Sequence, residues 1–453
     1  MPPHATSTIP VTHRVAGIVS VGDELTLGQT LDTNGRWVAQ RLTDAGLVTI
    51  EHVTVPDDLD AQVAAFRRLA QVADLIVCTG GLGPTADDLT REALARAMDD
   101  TLVEDPIALA QIESFYAARS RVMNASNRAQ ALRPSRGATL ANHNGTAPGL
   151  HGQIVTREGQ RERACDVFCL PGPPRELFPM FEQNVLARLS LPAGRTVRTR
   201  VLHTFGLAES ELAQRLGALM DRDAIAKGRP MVGTTASGGV VSVRLRYEGS
   251  ATPETAAAML DECESQVRDA AGVYLFGGGS DTLASVVLSM LRQANQKMGV
   301  VESCTGGLLG GMLTDIPGSS AVFAGGLITY TNALKTLLAG VPSGNFSAGA
   351  VGAVSRETAE AMAIGGLRTL GVDHALAITG IAGPEGATPA KPVGLVWIAR
   401  ASASGLAAPD VDCRAFQMTG DRASVREWAA KTGLAMLWQH LAGVPAMKLL
   451  RQV

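Results

Sequence analysis

Short apolar runs alternate with amphipathic segments from residue 14 onward. Apolar runs over Val15–Val21, Thr49–Val55 and Leu75–Thr79 predict strands. Between and after them, apolar residues recur at helical spacing, which predicts helices over Thr33–Ala45, Leu59–Ala73 and Leu89–Met98. Strands that alternate with helices are typical of a parallel sheet with helices on both faces.

The next part of the chain departs from this alternation. Pro106–Arg133 contains no glycine and is predicted to be a helical excursion from the sheet. Two further strands are predicted at Gln153–Thr156 and Val167–Leu170, and a small α+β module follows from Thr196. The module's predicted elements are the strands Val197–Thr204 and Val240–Tyr247 and the helices Glu209–Leu219 and Thr255–Ala271.

A second α/β series begins after residues 276–281, a Phe-Gly-Gly-Gly-Ser-Asp run that predicts a hinge, because consecutive glycines hold neither helix nor strand well. The predicted helices of this series are Leu283–Gln293, Ser355–Leu370 and Arg422–Leu441. Its predicted strands are Met298–Glu302, Leu327–Tyr330, His374–Thr379, Gly394–Arg400 and Arg414–Met418. The pattern as a whole predicts an α/β protein of three domains.

Composition narrows the class of protein. The chain has 453 residues, 46% hydrophobic and 18% charged, which excludes an intrinsically disordered chain. A net charge of −3 and only 4% aromatic residues argue against direct nucleic-acid binding. Six scattered cysteines without a CxxC pair argue against zinc and against a disulfide framework. With no signal-like or membrane-length apolar run, we expect a cytoplasmic protein that does not bind membranes.

Three loops of the first domain follow predicted strand ends, at residues 22–35, 79–88 and 144–149. In a parallel sheet such loops line the ligand crevice. The second loop combines glycines that let backbone amides approach an anion with one hydroxyl; these are Gly80, Gly81, Gly83 and Thr85. Asp87 and Asp88 then form a carboxylate pair that could hold a divalent metal. The alternative is an ordinary strand-to-helix turn with a capping carboxylate.

In the last domain, the strand ending at Glu302 delivers Ser303 and Cys304 to a predicted helix start. Ser303 is a candidate nucleophile, and the backbone of Thr305, Gly306 and Gly307 could bind an oxyanion. The alternative is that Ser303 only caps the helix. Cys304 is expected to be a small buried residue.

No histidine lies in the neighbouring motifs, so a serine nucleophile needs another base. Lys335 is a candidate if burial lowers its pKa, whereas a solvated helix lysine is the alternative. Thr379 and Gly380 stand at another strand end, and Arg422 at a helix start suits a phosphate or carboxylate.

The motifs as a set resemble the CinA family (competence/damage-inducible protein A). The N-terminal motifs are GDELTLGQTLDTNG, TGGLGPTADDLTREA, NGTAPG and LPGPPRE, and the C-terminal motifs are ESCTGG, GSSAxFxGGxITYTNxxK, GAVS, ITGIAGPEG and KPVG. The resemblance implies a molybdopterin-binding-like α/β sandwich at 14–178, a small α+β middle domain at 179–275 and a CinA C-terminal α/β domain at 282–443.

The resemblance also implies activities. The C-terminal domain resembles nicotinamide mononucleotide (NMN) deamidase, with Ser303 as nucleophile, Lys335 as base, Tyr330 assisting, Thr379 orienting the substrate and Arg422 holding its phosphate, and with no cofactor. The N-terminal domain is similar to a metal-dependent ADP-ribose pyrophosphatase. Its implied acidic site residues are Asp23, Glu24, Asp32, Asp87 and Asp88.

Two functional hypotheses follow. The first is a two-site enzyme of pyridine-nucleotide salvage whose ligands are NMN and ADP-ribose and whose N-terminal site uses a divalent metal. The alternative is a non-enzymatic molybdopterin- or nucleotide-binding protein associated with competence or the response to DNA damage. The resemblance favours a homodimer in either case.

Overall fold

The computed structural model of the chain describes residues 9–158, 161–403 and 408–453. These residues form two compact units. The first comprises the chain up to residue 198 together with 248–256, and the second comprises 199–247 and 257–453.

The first unit is built on a six-stranded sheet with the order β2-β1-β3-β8-β7-β6. Strands β2, β1, β3 and β8 are parallel, and β7 and β6 continue the sheet in antiparallel fashion. A short pair, β4 with β5, lies outside it. The strands are β1 (Val15–Val21), β2 (Val48–Val55), β3 (Leu75–Thr79), β4 (Leu102–Glu104), β5 (Leu132–Pro134), β6 (Ala138–Leu140), β7 (Gly149–Glu158) and β8 (Arg161–Leu170).

Helices cover both faces of this sheet, as the alternating pattern predicted. Ile18 and Val77 point into a core that contains Val38 of α2 and Leu177 of α6, whereas alternate strand residues face α3 and α4. The helices are α1 (Asp23–Thr26), α2 (Thr33–Asp44), α3 (Leu59–Ala70), α4 (Thr90–Ala97), α5 (Pro106–Ala117) and α6 (Pro174–Met180).

The predicted helical excursion over Pro106–Arg133 is wrong beyond its first twelve residues. Helix α5 begins at Pro106, after its N-cap Asp105, and ends at Ala117. A short 3-10 helix covers Ala125–Ala131 before β5. Only Ala108 and Ile112 of α5 are buried, so a longer helix would have no apolar face to pack.

The middle module contains a four-stranded sheet with the order β10-β11-β9-β12. Its elements are β9 (Thr196–Phe205), α7 (Glu209–Leu216), β10 (Met231–Ser237), β11 (Val240–Gly249), α8 (Pro253–Ala271) and β12 (Leu275–Gly278). Strand β10, which was not predicted from the sequence, forms a hairpin with β11.

The predicted hinge at residues 276–281 is wrong in its first half. Leu275–Gly278 is an edge strand that pairs antiparallel with β9. The close approach of the two backbones explains the glycine, because a side chain at Gly278 would stand 2.9 Å from the Val201 carbonyl oxygen. The Asp281 carboxylate accepts a hydrogen bond from the Gly278 amide at 3.0 Å and closes the following turn.

The C-terminal domain has a five-stranded sheet with the order β14-β13-β15-β16-β17. Strands β14, β13 and β15 are parallel, whereas β16 and β17 are antiparallel. The elements are α9 (Leu283–Ala294), β13 (Met298–Glu302), α10 (Leu308–Thr314), β14 (Phe323–Ile328), α11 (Asn332–Ala339), α12 (Arg356–Leu370), β15 (His374–Gly380), β16 (Leu395–Ser402), β17 (Asp410–Gln417) and α13 (Arg422–Leu441).

The middle module and the C-terminal domain share one hydrophobic core. Phe205 of β9 and Phe276 of β12 belong to the same buried cluster as residues of α9, β13 and α13. The Phe276 ring packs against the edge of Trp438 of α13, with ring centroids 6.3 Å apart. Residue 276 is therefore part of the core of the second unit.

All six cysteines are buried and carry free thiols. In the ranges described, none of the helices combines the length and apolar character that a membrane span requires.

Phe276→Ala should lower the free energy of unfolding of the second unit by roughly 3–5 kcal/mol, because it empties a site in a packed core. Urea unfolding followed by tryptophan fluorescence measures the change. Val273→Ala is the control, because Val273 is 44% exposed and should change stability by less than about 0.5 kcal/mol. Equal effects of the two substitutions would contradict the shared core.

Candidate functional site

The candidate nucleophile stands at the carboxyl end of β13, a strand with every residue buried. The Ser303 amide donates to the Ile378 carbonyl of neighbouring β15 at 2.9 Å, which holds the serine beside the end of that strand. A turn over residues 303–307 then leads into α10. Helix α10 has Gly307 as its N-cap, so Ser303 lies four residues before the cap and does not serve as one.

Lys335 comes from the first turn of α11 and reaches Ser303. Its Nζ donates hydrogen bonds to Ser303 Oγ at 3.0 Å and to the Thr329 carbonyl at 2.8 Å. Lys335 is only 1% exposed. Burial lowers the pKa of this amine, because the charged form loses its hydration. The geometry therefore places a lysine with a depressed pKa in contact with the serine hydroxyl.

The neighbouring thiol is not activated in the same way. Cys304 is buried, and burial raises its pKa to about 12. A thiol with that pKa is almost entirely protonated at neutral pH, and the thiolate is the reactive form. Ser303 is therefore the stronger candidate nucleophile of the pair.

Glu302 fixes the turn that follows it, although the sequence analysis assigned it no role. Glu302 is 1% exposed, and its carboxylate accepts hydrogen bonds from the amides of Gly307 at 3.0 Å, Leu309 at 3.1 Å and Gly310 at 2.8 Å. A carboxylate at this position also complements the positive end of the helix dipole. The Gly307 amide, proposed from sequence as an oxyanion donor, is thus occupied by the chain's own carboxylate.

The other turn residues are arranged differently. The Gly306 amide donates to the Ser303 carbonyl at 3.1 Å. Thr305 is fully buried, and its hydroxyl has no hydrogen-bond partner within the described part of the chain. In that same part, the amides of Cys304 and Thr305 donate to no backbone carbonyl, although the Cys304 amide lies against its own thiol. They are the two free amides nearest to the Ser303 hydroxyl in sequence.

The remaining C-terminal candidates lie around this turn. Thr379, at the end of β15, is buried and donates its hydroxyl proton to the Ala353 carbonyl at 2.8 Å. Gly380 follows it on the strand. The exposed Tyr330 accepts a hydrogen bond from Arg422 Nη2 at 2.9 Å, and Arg422 Nη1 donates to the Gly383 carbonyl at 2.6 Å. The structure thus pairs the tyrosine hydroxyl with Arg422 and places no bond from it to Ser303 or Lys335.

A second candidate site is a cavity of about 600 Å³ in the first unit. It opens where β1, β3 and β8 end, as expected for loops at the carboxyl edge of a parallel sheet. All but one of the N-terminal residues predicted for ligand or metal binding line it, and Asp23 does not. The lining candidates are Glu24, Asp32, Gly80, Gly81, Gly83, Thr85, Asp87 and Asp88.

The glycine-rich loop of this cavity is held by Asp88. Its carboxylate accepts hydrogen bonds from the Gly83 amide at 2.7 Å, the Thr85 amide at 2.9 Å and the Thr85 hydroxyl. The Gly80 amide donates to the Leu170 carbonyl at 3.0 Å. Gly81 has a φ of +65°, and a side chain there would collide with the Thr90 hydroxyl. Most amides that the sequence analysis offered to a phosphate are therefore engaged inside the chain.

Two of the other acidic candidates also make internal hydrogen bonds. Asp32 is the N-cap of α2, where it accepts from the Gly35 amide at 2.7 Å, and it also accepts from Ser20 Oγ at 2.6 Å. Asp23 accepts from the Asp57 amide at 3.1 Å, and Asp57 accepts from the Asp23 amide at 3.0 Å. Glu24 and Asp87 also line the cavity, and a hydrogen bond from the Thr85 side chain lowers the pKa of Asp87.

Asp57 is an acidic cavity residue that the sequence analysis missed. Burial raises the pKa of its carboxyl. Three neighbouring carboxylates add to this increase, because they repel its charged form; they belong to Asp23, Glu24 and Asp87. A divalent cation would relieve such repulsion, and carboxylates are the donors that hard cations prefer. Within the described ranges, however, no three acidic, histidine or cysteine side chains lie close enough together to hold a metal ion.

The missed residues carried weak sequence signals. Asp57 stands two residues past β2, in the position that drew attention to the other loops. Glu302 directly precedes the serine, and Arg426 lies one helical turn after Arg422. Arg91, buried behind the glycine-rich loop, donates to the Leu82 carbonyl at 2.8 Å and to the Gly83 carbonyl. The contacts that distinguish these residues form only in the folded chain.

Three family models match the chain. The model described as "Probable molybdopterin binding domain" matches residues 17–190. The "Damage-inducible protein CinA KH domain" matches 199–277, and the "CinA C-terminal domain" matches 280–441.

Relatives that align with nearly the whole chain also carry CinA names. A "CinA-like protein" of Geobacter metallireducens is 38% identical over 428 residues, which cover 94% of this chain and 98% of the relative. A "CinA-like protein" of Nostoc sp. is 38% identical over 441 residues, with coverages of 94% and 99%. Among solved structures, the competence/damage inducible protein CihA from Agrobacterium tumefaciens is 39% identical and covers 35% of this chain and 93% of its own, with a TM-score of 0.33.

The lowered pKa of Lys335 predicts how stability depends on pH. Between its folded pKa and about 10.5, the unfolded chain binds a proton that the folded lysine has released. Wild-type stability should therefore rise with pH across that window, whereas Lys335→Met lacks this contribution. Urea unfolding of both proteins from pH 7 to 10 measures the difference. Stability curves that stay parallel across the whole range would contradict a depressed pKa.

Proposed function

The chain belongs to the CinA family, and from this premise we propose that its C-terminal domain is a serine–lysine amide hydrolase that converts nicotinamide mononucleotide to nicotinate mononucleotide and ammonia. The observation that carries the proposal is the buried Lys335 Nζ, 3.0 Å from Ser303 Oγ. The resemblance of the motifs around these residues to NMN deamidase supplies the substrate.

The first half of the reaction follows from that contact. Neutral Lys335 removes the hydroxyl proton as Ser303 Oγ attacks the amide carbon of the substrate. Burial favours the neutral amine that this step requires. The negative charge moves to the carbonyl oxygen, where the free amides of Cys304 and Thr305 can donate hydrogen bonds.

The second half returns the proton. The lysine, now protonated, gives its proton to the departing nitrogen, the C–N bond breaks, and ammonia leaves an ester on Ser303. Water then attacks this ester with the neutral lysine as base, the bond between the acyl carbon and Ser303 Oγ breaks, and the lysine returns the proton to Oγ as the acid product is released. The Thr329 carbonyl, 2.8 Å from Nζ, keeps the amine oriented in both steps.

Arg422 is the group best suited to the substrate phosphate. It is exposed at the start of α13, and its two hydrogen bonds to Tyr330 and Gly383 leave N–H donors for an anion. Glu302 supports this assignment indirectly, because it already occupies the positive end of α10. Tyr330 then acts on the substrate side of the site, through its bond to Arg422, as well as in the assisting role that the resemblance implies.

We expect purified wild-type protein to release ammonia from NMN and Ser303→Ala to release none. Lys335→Ala and Lys335→Arg should each lose roughly 10²–10⁴-fold in kcat, the usual contribution of a general base. Arginine fails because it stays protonated. Tyr330→Phe should lose less than Ser303→Ala.

Two further measurements complete this test. The wild-type rate should rise with pH along a limb set by the lowered pKa of Lys335. Lys297→Ala, at an exposed lysine before β13, is the matched control and should keep its activity. Near wild-type turnover in either Lys335 variant would remove the lysine as base and favour direct attack by water.

A second activity is proposed for the first unit: metal-dependent hydrolysis of ADP-ribose. The observation that favours it is a cavity edged by Glu24, Asp57 and Asp87, which would repel a pyrophosphate unless a cation intervened. These three carboxylates do not lie close enough together to enclose a metal ion by themselves, so the phosphates of the ligand would have to complete its coordination. A divalent metal supplies charge neutralisation of the pyrophosphate and an acidified water. The non-enzymatic alternative predicts ligand binding in this cavity without turnover.

Asp57→Asn and Asp87→Asn should each weaken Mn²⁺ binding by at least about tenfold, because each removes a carboxylate from the cavity. Isothermal titration with Mn²⁺ measures the affinity, and hydrolysis of ADP-ribose with and without EDTA measures activity. Asp60→Asn is the control, since its side chain is 96% exposed and lies outside the cavity. Full hydrolysis in EDTA would reject the metal requirement.

A further inference from the structure

Helix α13 carries two arginines that both reach the C-terminal site. Arg422 is its first residue and Arg426 follows four residues later, so the two side chains leave the same face of the helix. Arg422 contacts the loops of Tyr330 and Gly383, whereas Arg426 Nη2 donates to the Thr305 carbonyl at 2.7 Å. One helix therefore ties together three loops that are far apart in sequence.

The peptide unit between Thr305 and Gly306 is held from both ends. Its carbonyl accepts the hydrogen bond from Arg426, and its N–H donates to the Ser303 carbonyl at 3.1 Å. Gly306 and Gly307 have φ values of +58° and +96°, a region that residues with side chains rarely adopt. A Cβ built on Gly306 would lie 3.8 Å from Arg426 Nη2, so the guanidinium rests directly against the turn.

The charge of Arg426 also reaches this turn. Burial raises the pKa of the Cys304 thiol, whereas the nearby cations Lys335 and Arg426 oppose that increase. Arg426 is half-buried, so solvent screens its field less than that of an exposed arginine. Positive potential is thus available beside Ser303, where the attacked carbonyl oxygen would become negative.

We propose that Arg426 is a positioning residue of the amide-hydrolase site: it locks the Thr305–Gly306 peptide and thereby fixes the turn that presents Ser303 and the free amides of Cys304 and Thr305. The inference rests on the proposed function and adds a residue to which neither the motifs nor the resemblance gave a role. Arg426 differs from Arg422 in its task. Arg422 is exposed and faces the substrate, whereas Arg426 acts through the backbone of the turn.

Steady-state kinetics on NMN separates these two tasks. Arg426→Ala should lower kcat by roughly 10²-fold, the size of effect that a small misplacement of reacting groups produces, and should leave KM within about twofold. Arg422→Ala should raise KM instead. Arg426→Lys keeps the charge but loses the planar fork, so it should recover only part of the lost kcat. Arg368→Ala, at an exposed arginine of α12, is the control and should behave as wild type.

A second readout does not depend on the substrate. Phenylmethanesulfonyl fluoride should sulfonylate Ser303 in the full-length wild-type protein, as followed by mass spectrometry of the modified peptide. The labelling rate should fall in Arg426→Ala by about the same factor as kcat and should stay unchanged in Arg422→Ala. If Arg426→Ala does not fold, as judged by circular dichroism, Arg426→Lys carries the same comparison.

The possible outcomes assign Arg426 different roles. A raised KM with unchanged kcat and labelling in Arg426→Ala would make Arg426 a substrate ligand and overturn the proposal. Unchanged kcat, KM and labelling would make it a spectator. If wild type is labelled at Ser303 but releases no ammonia from NMN, the proposed substrate fails while the labelling rates still test Arg426. If wild type is neither labelled nor active, both proposals fall.

Discussion

The C-terminal site depends on one buried carboxylate. Glu302 ends strand β13 and accepts three amide hydrogen bonds from the start of α10, so the residues between them have to form one particular turn. Each of those amides would cost roughly 1–3 kcal/mol if it were buried without a partner. Ser303, the first residue of that turn, therefore has little freedom, and Lys335 can be placed against it by a separate helix. Preorganisation of this kind is what a weak nucleophile such as serine requires.

In the first unit, Asp88 fixes the backbone of a loop in the same way. Its carboxylate satisfies the amides of Gly83 and Thr85, so the glycine-rich loop holds its shape without a ligand. In both sites, backbone amides that were predicted to bind a substrate anion donate instead to a carboxylate of the chain itself. Charge on a ligand must then be met by other groups. In the C-terminal site the exposed Arg422 is such a group, whereas the charged side chains that line the cavity with Asp57 are all acidic.

The sequence predicted features that local chemistry determines. Strand β13 and helix α13 begin and end where predicted, because one is a continuous apolar run and the other begins after the capping Asp421. Lys335 was a candidate base for Ser303 because no histidine lies in the neighbouring motifs, and the motif resemblance then assigned it that role. Nothing local relates two residues that are 32 positions apart. Tertiary contacts decided the rest. The glycines at 276–281 suggested a hinge, but pairing with β9 and packing against Trp438 make part of this run a strand. The acidic neighbours of Asp57 come from two other loops, so they are apparent only in the folded chain.

The packing of α13 links these observations. Near its start, Arg422 and Arg426 hold the site loops. Six residues after Arg422, Trp428 packs against Phe205 of the middle module, with ring centroids 6.2 Å apart. Arg451 stacks on the same indole at 3.9 Å. Helix α13 is packed into this shared core, and close-packed protein interiors have low compressibility and transmit strain. The middle module therefore packs against the same helix whose first residues contact the loops around Ser303.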